Sequence, residues 1–152
     1  PQPPEIPSFW GMVWESKATV IIMVTKLVEN RKPKADQYWP VADAPETYGA
    51  YTVTPLNGAG VARPGGYVRR EFRLATGEES RTVAHLQYTA WPDFGVPGED
   101  NPLLAMRCEE REASAASPGA PVIIHCSAGI GRTGTYVAID FMLEALHRAG
   151  VL

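Results

Sequence analysis

An α/β (α+β) fold, a mixed central sheet flanked by helices, is what this 152-residue chain predicts. Three observations carry that expectation. Thr19–Thr25 and Val122–Ile124 are apolar and β-branched, the composition of strands buried on both faces. Tyr67–Leu74 and Arg81–Thr89 flank Thr76-Gly77-Glu78-Glu79 and read as a hairpin. Near the end of the chain, Ile139, Met142, Leu143 and Leu146 recur at helical spacing. Strands and helices mixed in this way pack as layers around one sheet.

In chain order, residues 1–7 are proline-rich and read as irregular. Ser8 is placed to cap a helix through Phe9, Met12 and Val13, which share one face. Thr19–Thr25 is expected as a central strand. Residues 26–37 are charged and polar, and Pro33 argues against regular structure there. Tyr48–Thr54 reads as a strand, and the glycines and prolines of residues 55–66 as a loop. After the hairpin, residues 90–101 form a loop rich in proline and glycine. Asn101-Pro102 resembles an N-cap and first helical position, for a helix reaching about Ser114 and broken at Ser117-Pro118-Gly119. Val122–Ile124 is a short buried strand, and Gly150 ends the helix that follows.

Bulk properties narrow the function. Hydrophobic residues make up 45% and charged residues 20%, the balance of a globular domain, and the length suits a single one. Fourteen basic against 17 acidic residues give a net charge of −3, with no basic run to suggest nucleic acid. The longest apolar run, Val20–Val24, is far too short to span a membrane. The opening residues, Pro1-Gln2-Pro3-Pro4, carry neither the basic nor the apolar region of a secretory signal. Two cysteines make no disulfide framework, and with three histidines they show no metal-ligand spacing, so neither metal nor cofactor is expected.

The chemistry concentrates in His125-Cys126-Ser127-Ala128-Gly129-Ile130-Gly131-Arg132-Thr133-Gly134. A cysteine stands where a buried strand ends, small residues follow, and an arginine lies where a helix should start. Backbone N–H groups of such a loop can turn inward to cradle an anion, and the helix N-terminus adds partial positive charge. Arg132 offers a planar fork matched to two phosphate oxygens. The same field favours the thiolate of Cys126, which is the nucleophilic form.

This string resembles the signature of the protein tyrosine phosphatases: His-Cys, five residues, Arg, then Ser or Thr. The resemblance implies a phosphocysteine intermediate, with Ser127, Ala128, Gly129, Ile130, Gly131 and Arg132 binding the phosphate. Thr133 would stabilise the departing thiolate or cap the helix, and His125 would orient the loop. Trp91-Pro92-Asp93-Phe94-Gly95-Val96-Pro97 is similar to the family's mobile acid loop. Asp93 would protonate the leaving phenolate, whose conjugate acid has a pKa of about 10, and then serve as base for the hydrolytic water. Gly95 and Gly98 would help that loop close, Trp91 would anchor it, and Phe94 would pack on the substrate ring or pin the loop. Lys34-Ala35-Asp36-Gln37-Tyr38-Trp39-Pro40 resembles a third family block, with alanine in place of its usual cysteine. Lys34 would reach toward the acid loop or phosphate, and Glu29 would pair with Arg132. Thr47-Tyr48-Gly49 is similar to receptor-type members, in which such a domain is the intracellular part. A thiolate nucleophile also favours the reducing cytosol. The partners implied are phosphotyrosine-containing proteins.

Two family elements are not found here: the Asn-Arg-Tyr loop that sets pocket depth and the glutamine loop that positions water. Residues 1–152 are therefore expected to be one partial catalytic domain, a fragment of a longer protein, with an uncovered sheet edge or apolar face and marginal stability. A phosphotyrosine-binding module with little turnover is the alternative function. The Lys34–Pro40 block argues against a dual-specificity enzyme. Reversible oxidation of Cys126, with the Ser127 amide as partner, is compatible with the enzyme. Cys108 reads as a plain helix thiol.

Overall fold

The computed structural model describes residues 1–91, 95 and 102–151. The expected mixed sheet is present, built from β1 (Val20–Met23), β4 (Glu46–Tyr48), β5 (Tyr51–Pro55), β6 (Val61–Arg63), β7 (Tyr67–Thr76), β8 (Glu79–Tyr88) and β9 (Val122–His125). The strand order is β4-β5-β7-β8-β1-β9, with β6 paired to β7. β1 runs parallel to both β8 and β9, and the remaining pairs are antiparallel. The helices are α1 (Ile6–Glu15), α2 (Pro102–Ala115) and α3 (Gly131–Arg148).

The central strand explains the layers. Side chains alternate across a strand. Ile21 and Met23 face a core shared with Trp10 and Val13 of α1, while Val20, Ile22 and Val24 face one shared with Leu103 and Met106 of α2 and Tyr136 of α3. β1 is buried throughout because both faces are covered. Arg107 and Arg111 of α2 pair with Asp140 and Glu144 of α3, lacing the two helices together.

Several local expectations need correction. Pro3–Glu5 form a 3-10 turn, and α1 begins at Ile6 with Pro7 in its first turn, so Ser8 lies inside the helix rather than capping it. The buried stripe is Ile6, Trp10 and Val13, and Met12 points outward. The stretch 26–37 holds a two-residue hairpin, β2 (Val28–Glu29) with β3 (Lys32–Pro33), closed by Asn30 and Arg31 at φ 49° and 61°. Positive φ at both loop positions gives the primed turn that fits strand twist, and Pro33 is tolerated because β3 has no further partner strand among the described residues. Tyr48–Thr54 is a hairpin turning at Gly49-Ala50 rather than one strand. The 55–66 loop contributes β6.

β9 and α3 are less covered than their sequences suggest. β9 pairs with β1 alone among the described residues, and its four residues are half-buried. On α3, Val137, Phe141, Met142 and Leu146 are 47%, 73%, 55% and 41% exposed, and Tyr136 is the helix's buried residue. No helix among the described residues is long and apolar enough to cross a membrane. An uncovered apolar face of this kind favours self-association. Phe141→Glu is expected to lower dye binding and concentration-dependent association, while stability changes by no more than about 0.5 kcal/mol. Sedimentation velocity at rising concentration checks this, and identical profiles for parent and variant would count against it.

Candidate active site

Parallel pairing sets the site. Met23 lies opposite Gln87 of β8 and His125 of β9, so these strands end together and release their loops at one edge of the sheet. Cys126 follows β9 directly and is buried, whereas Ser127, Ala128, Gly129, Ile130 and Gly131 are exposed. The Gly129 amide donates to Cys126 Sγ at 3.2 Å. That approach uses a left-handed backbone at Gly129, φ 72°, which glycine adopts without the steric cost of a Cβ.

Burial pushes the Cys126 thiol up, yet its pKa is lowered overall. The Thr133 side chain and the amides of Thr133, Gly129 and Ile130 outweigh the burial. The Thr133 hydroxyl is buried without a well-aligned partner among the described residues, although it sits near enough to hold the thiol down. Its expected capping role is not seen: the helix N-cap is Ile130, with no side-chain cap, and Thr133 lies within α3.

Arg132, in the first turn of α3, is pinned by Glu29. Nη1 donates to Oε1 at 2.6 Å and Nη2 to Oε2 at 2.9 Å, and Nη1 also reaches Thr25 Oγ1 at 3.4 Å. The two-residue β2–β3 hairpin carries Glu29 into this buried position. The hydrogen bonds from Arg132 hold its pKa at about 2, against the upward push of burial. The guanidinium plane is thereby set from one side.

His125 accepts or donates at two places: Nε2 lies 2.7 Å from the Tyr38 hydroxyl, and Nδ1 lies 3.1 Å from the Cys126 carbonyl. Burial lowers its pKa to about 4. Tyr38 is fixed in turn, since Trp10 Nε1 donates to its carbonyl at 2.7 Å and Phe9 packs on its ring. Its hydroxyl also meets His85 Nε2 at 2.8 Å. Lys34 lines a cleft of about 500 Å³ with Cys126 and Ser127. Trp91 is buried beside Tyr88 and donates to the Gly95 carbonyl at 3.4 Å. Asp93 and Phe94, with Gly98, lie outside the described residues. Cys108 is exposed, on α2.

Sequence reasoning gave no role to Tyr38, His85, Arg70, Gln87 or Thr25, although all five join the hydrogen bonds beneath the loop. The sequence signal for Tyr38 was its place in the Lys34–Pro40 block. His85 and Gln87 alternate with apolar residues on β8, a pattern that by itself marks no buried network, and both are buried.

Residues 1–152 match the family model for protein-tyrosine phosphatase. The chain is 45% identical over 149 residues to a Lar-like tyrosine-protein phosphatase of Caenorhabditis elegans, covering 97% of this chain and 6% of that protein. It is 42% identical to receptor-type tyrosine-protein phosphatase F of Danio rerio (96% of this chain, 8% of that one). Against receptor-type tyrosine-protein phosphatase C of Rattus norvegicus it is 40% identical (99% and 12%). A solved structure, described as the basis of the PTPN18 fingerprint on distinct HER2 tyrosine phosphorylation sites, superposes with a TM-score of 0.91 at 32% identity. That match covers all of this chain and 53% of the other. The chain belongs to the protein-tyrosine phosphatase family, and it spans a small part of the curated relatives it matches.

The buried ionisable groups make the domain acid-sensitive. The carboxyl of Glu29 is held near 2 against an ordinary 4.5, so its contribution is complete above pH 4.5 and is lost as pH falls toward 2. His125 is held near 4 against 6.5, so stability drains earlier, as pH falls from about 6.5 to 4. The thermal midpoint is expected to decline through both windows, and Glu29→Gln should abolish the lower one. Glu29→Ala, which removes both carboxylate acceptors of the Arg132 fork, is expected to cost about 3 kcal/mol in denaturant unfolding. A midpoint flat from pH 6.5 to 4 would contradict the neutral burial of His125.

Proposed function

We propose that the chain hydrolyses phosphotyrosine in proteins through a phosphocysteine intermediate. The observation that carries this reading is the Cys126 sulfur, with the Gly129 amide 3.2 Å away, beside an arginine whose fork Glu29 already holds. Family membership supports the same chemistry.

In the first step the Cys126 thiolate attacks phosphorus and the bond from phosphorus to the phenolic oxygen breaks. The departing oxygen takes the bonding pair and a proton from Asp93. Arg132 and the loop amides stabilise the charge gathered on the phosphoryl oxygens. In the second step water attacks phosphorus and gives its proton to the Asp93 carboxylate. The sulfur–phosphorus bond then breaks, releasing inorganic phosphate and the thiolate, with the Thr133 hydroxyl as a donor to the returning charge. Lys34 adds positive charge at the cleft, Trp91 anchors the acid loop, and Phe94 packs on the substrate ring. Neutral His125 serves to hold the Cys126 carbonyl rather than to shuttle protons. The lowered pKa of Cys126 suits the reducing cytosol, and phosphotyrosine-containing proteins are the partners that this site would take.

Phosphate release from an aryl phosphate tests the reading. The parent chain is expected to turn over, and Cys126→Ser to be inactive. Asp93→Ala should slow release by about 10²–10⁴-fold on a phenol leaving group, and Arg132→Ala by about 10²–10³-fold. Phosphopeptide binding without any release by the parent would favour a binding module instead.

A further inference from the structure

We propose that His85 and Arg70, which do not reach the reacting atoms, are positioning residues that fix the direction of every proton in the hydrogen-bonded chain ending at the Cys126 carbonyl. Its functional consequence rests on the phosphatase reading above, but its geometry does not.

The two ends of the chain cannot be reversed. Arg70 has donors and no acceptor, and its Nη1 lies 3.5 Å from His85 Nδ1 and 3.0 Å from Gln87 Oε1. At 3.5 Å the first contact is weak as a hydrogen bond, but the fixed charge still repels a proton on that nitrogen. At the other end the Cys126 carbonyl can only accept, so His125 Nδ1, 3.1 Å away, carries a proton. His85 is buried and His125 half-buried, and both imidazoles are neutral near pH 7. His125 Nε2 is therefore bare, and His85 Nε2 bears the proton. The Tyr38 hydroxyl sits between them, at 2.8 Å from His85 and 2.7 Å from His125. It accepts from His85 and donates to His125, and burial keeps it protonated. One arrangement satisfies all of these groups.

Arg70 is built to stay in place. It stands opposite His85 in the β7–β8 register. Its guanidinium lies over the Trp39 ring at 4.7 Å, and a Cβ on Gly60 would come within 2.6 Å of its Cγ. Among the described residues no carboxylate pairs with it, so its donors turn to His85 and Gln87. The second donor begins another arm. With its oxygen taken by Arg70, Gln87 presents its amide nitrogen to the Thr25 carbonyl at 3.2 Å. The Thr25 hydroxyl meets Glu29 at 3.2 Å and Arg132 at 3.4 Å. One half-buried cation thus supports both the nucleophile's carbonyl and the loop that holds the phosphate-binding arginine. Without His85 or Arg70 the Tyr38 proton can turn back, and His125 can present a bare Nδ1 to the carbonyl it now holds.

Long-range proton–nitrogen spectra of the imidazole-labelled chain read the tautomers directly. The expected result is His85 protonated on Nε2 and His125 on Nδ1, with neither titrating between pH 7.5 and about 5. The opposite tautomer at either ring would overturn the proposal. Alkylation of Cys126 by iodoacetamide, followed on its own peptide, gives a second readout. In His85→Leu and Arg70→Met the alkylation midpoint should rise by about half to one pH unit, a loss of about three- to tenfold in thiolate near neutrality. His85→Gln keeps an acceptor toward Arg70 and a donor toward Tyr38, and should behave as the parent. Equal behaviour of His85→Gln and His85→Leu would overturn the positioning role. If a variant does not fold, the parent spectra still decide the proton direction. Neither readout needs turnover, so an inactive chain with the expected tautomers would sink the phosphatase reading and leave this one standing.

Discussion

The parallel pairing of β8, β1 and β9 is the constraint from which the site follows. Strands that run the same way end at the same edge, so residues far apart in sequence leave the sheet side by side. The end of β1 leads to Thr25 and Glu29, the end of β9 to Cys126, and the end of β8 to Trp91. Open sheets with parallel strands place their ligand sites at this edge for the same reason. An offset of one residue in β9 would exchange the faces of His125 and Cys126. The histidine would then lose Tyr38, and the sulfur would leave the core on the α3 side that it now shares with Tyr136.

Beneath the cysteine loop the structure accepts a costly arrangement. It buries a glutamate, a histidine, a tyrosine hydroxyl and a glutamine and half-buries a second histidine, each of which would be destabilising without a partner. Hydrogen bonding resolves the cost in two ways. Glu29 keeps its charge because Arg132 meets it with two donors, and the histidines give up theirs. The result is a floor that carries little titratable charge near neutral pH, so the thiol above it is governed by loop amides and Thr133. A network of this kind is stiff when every member is satisfied.

Much of this was legible in the sequence, and the failures have physical causes. The β1 and β9 strands, the β7–β8 hairpin and α2 came from composition and turn residues, because each depends on local pattern. The β2–β3 hairpin was missed because Pro33 spoke against a strand, while the structure uses Asn30 and Arg31 at positive φ to make a ladder of two residue pairs. The proximity of Glu29 to Arg132 came from family resemblance, since no spacing within the chain encodes a contact between residues 103 apart. His85 and Gln87 were invisible for a different reason. Alternation of polar and apolar residues signals one wet face, and here that face is closed by Tyr38, Trp39 and Arg70. The helical spacing of the apolar residues of α3 gave the helix but not its environment, since Met142 and Leu146 are largely uncovered.

Gly129 separates two demands that are usually confounded. A Cβ built there meets nothing within 4 Å, yet its φ of 72° is one that L-residues rarely adopt. The obstacle to a side chain at the centre of the cysteine loop is therefore handedness and not room. A residue of the opposite chirality would find that backbone its natural one. D-alanine placed there by chemical ligation would keep the amide aimed at the Cys126 sulfur, and it would also narrow the unfolded ensemble that glycine leaves wide. The loop asks for a mirror-image residue, and glycine is the genetically encoded amino acid that comes nearest to supplying one.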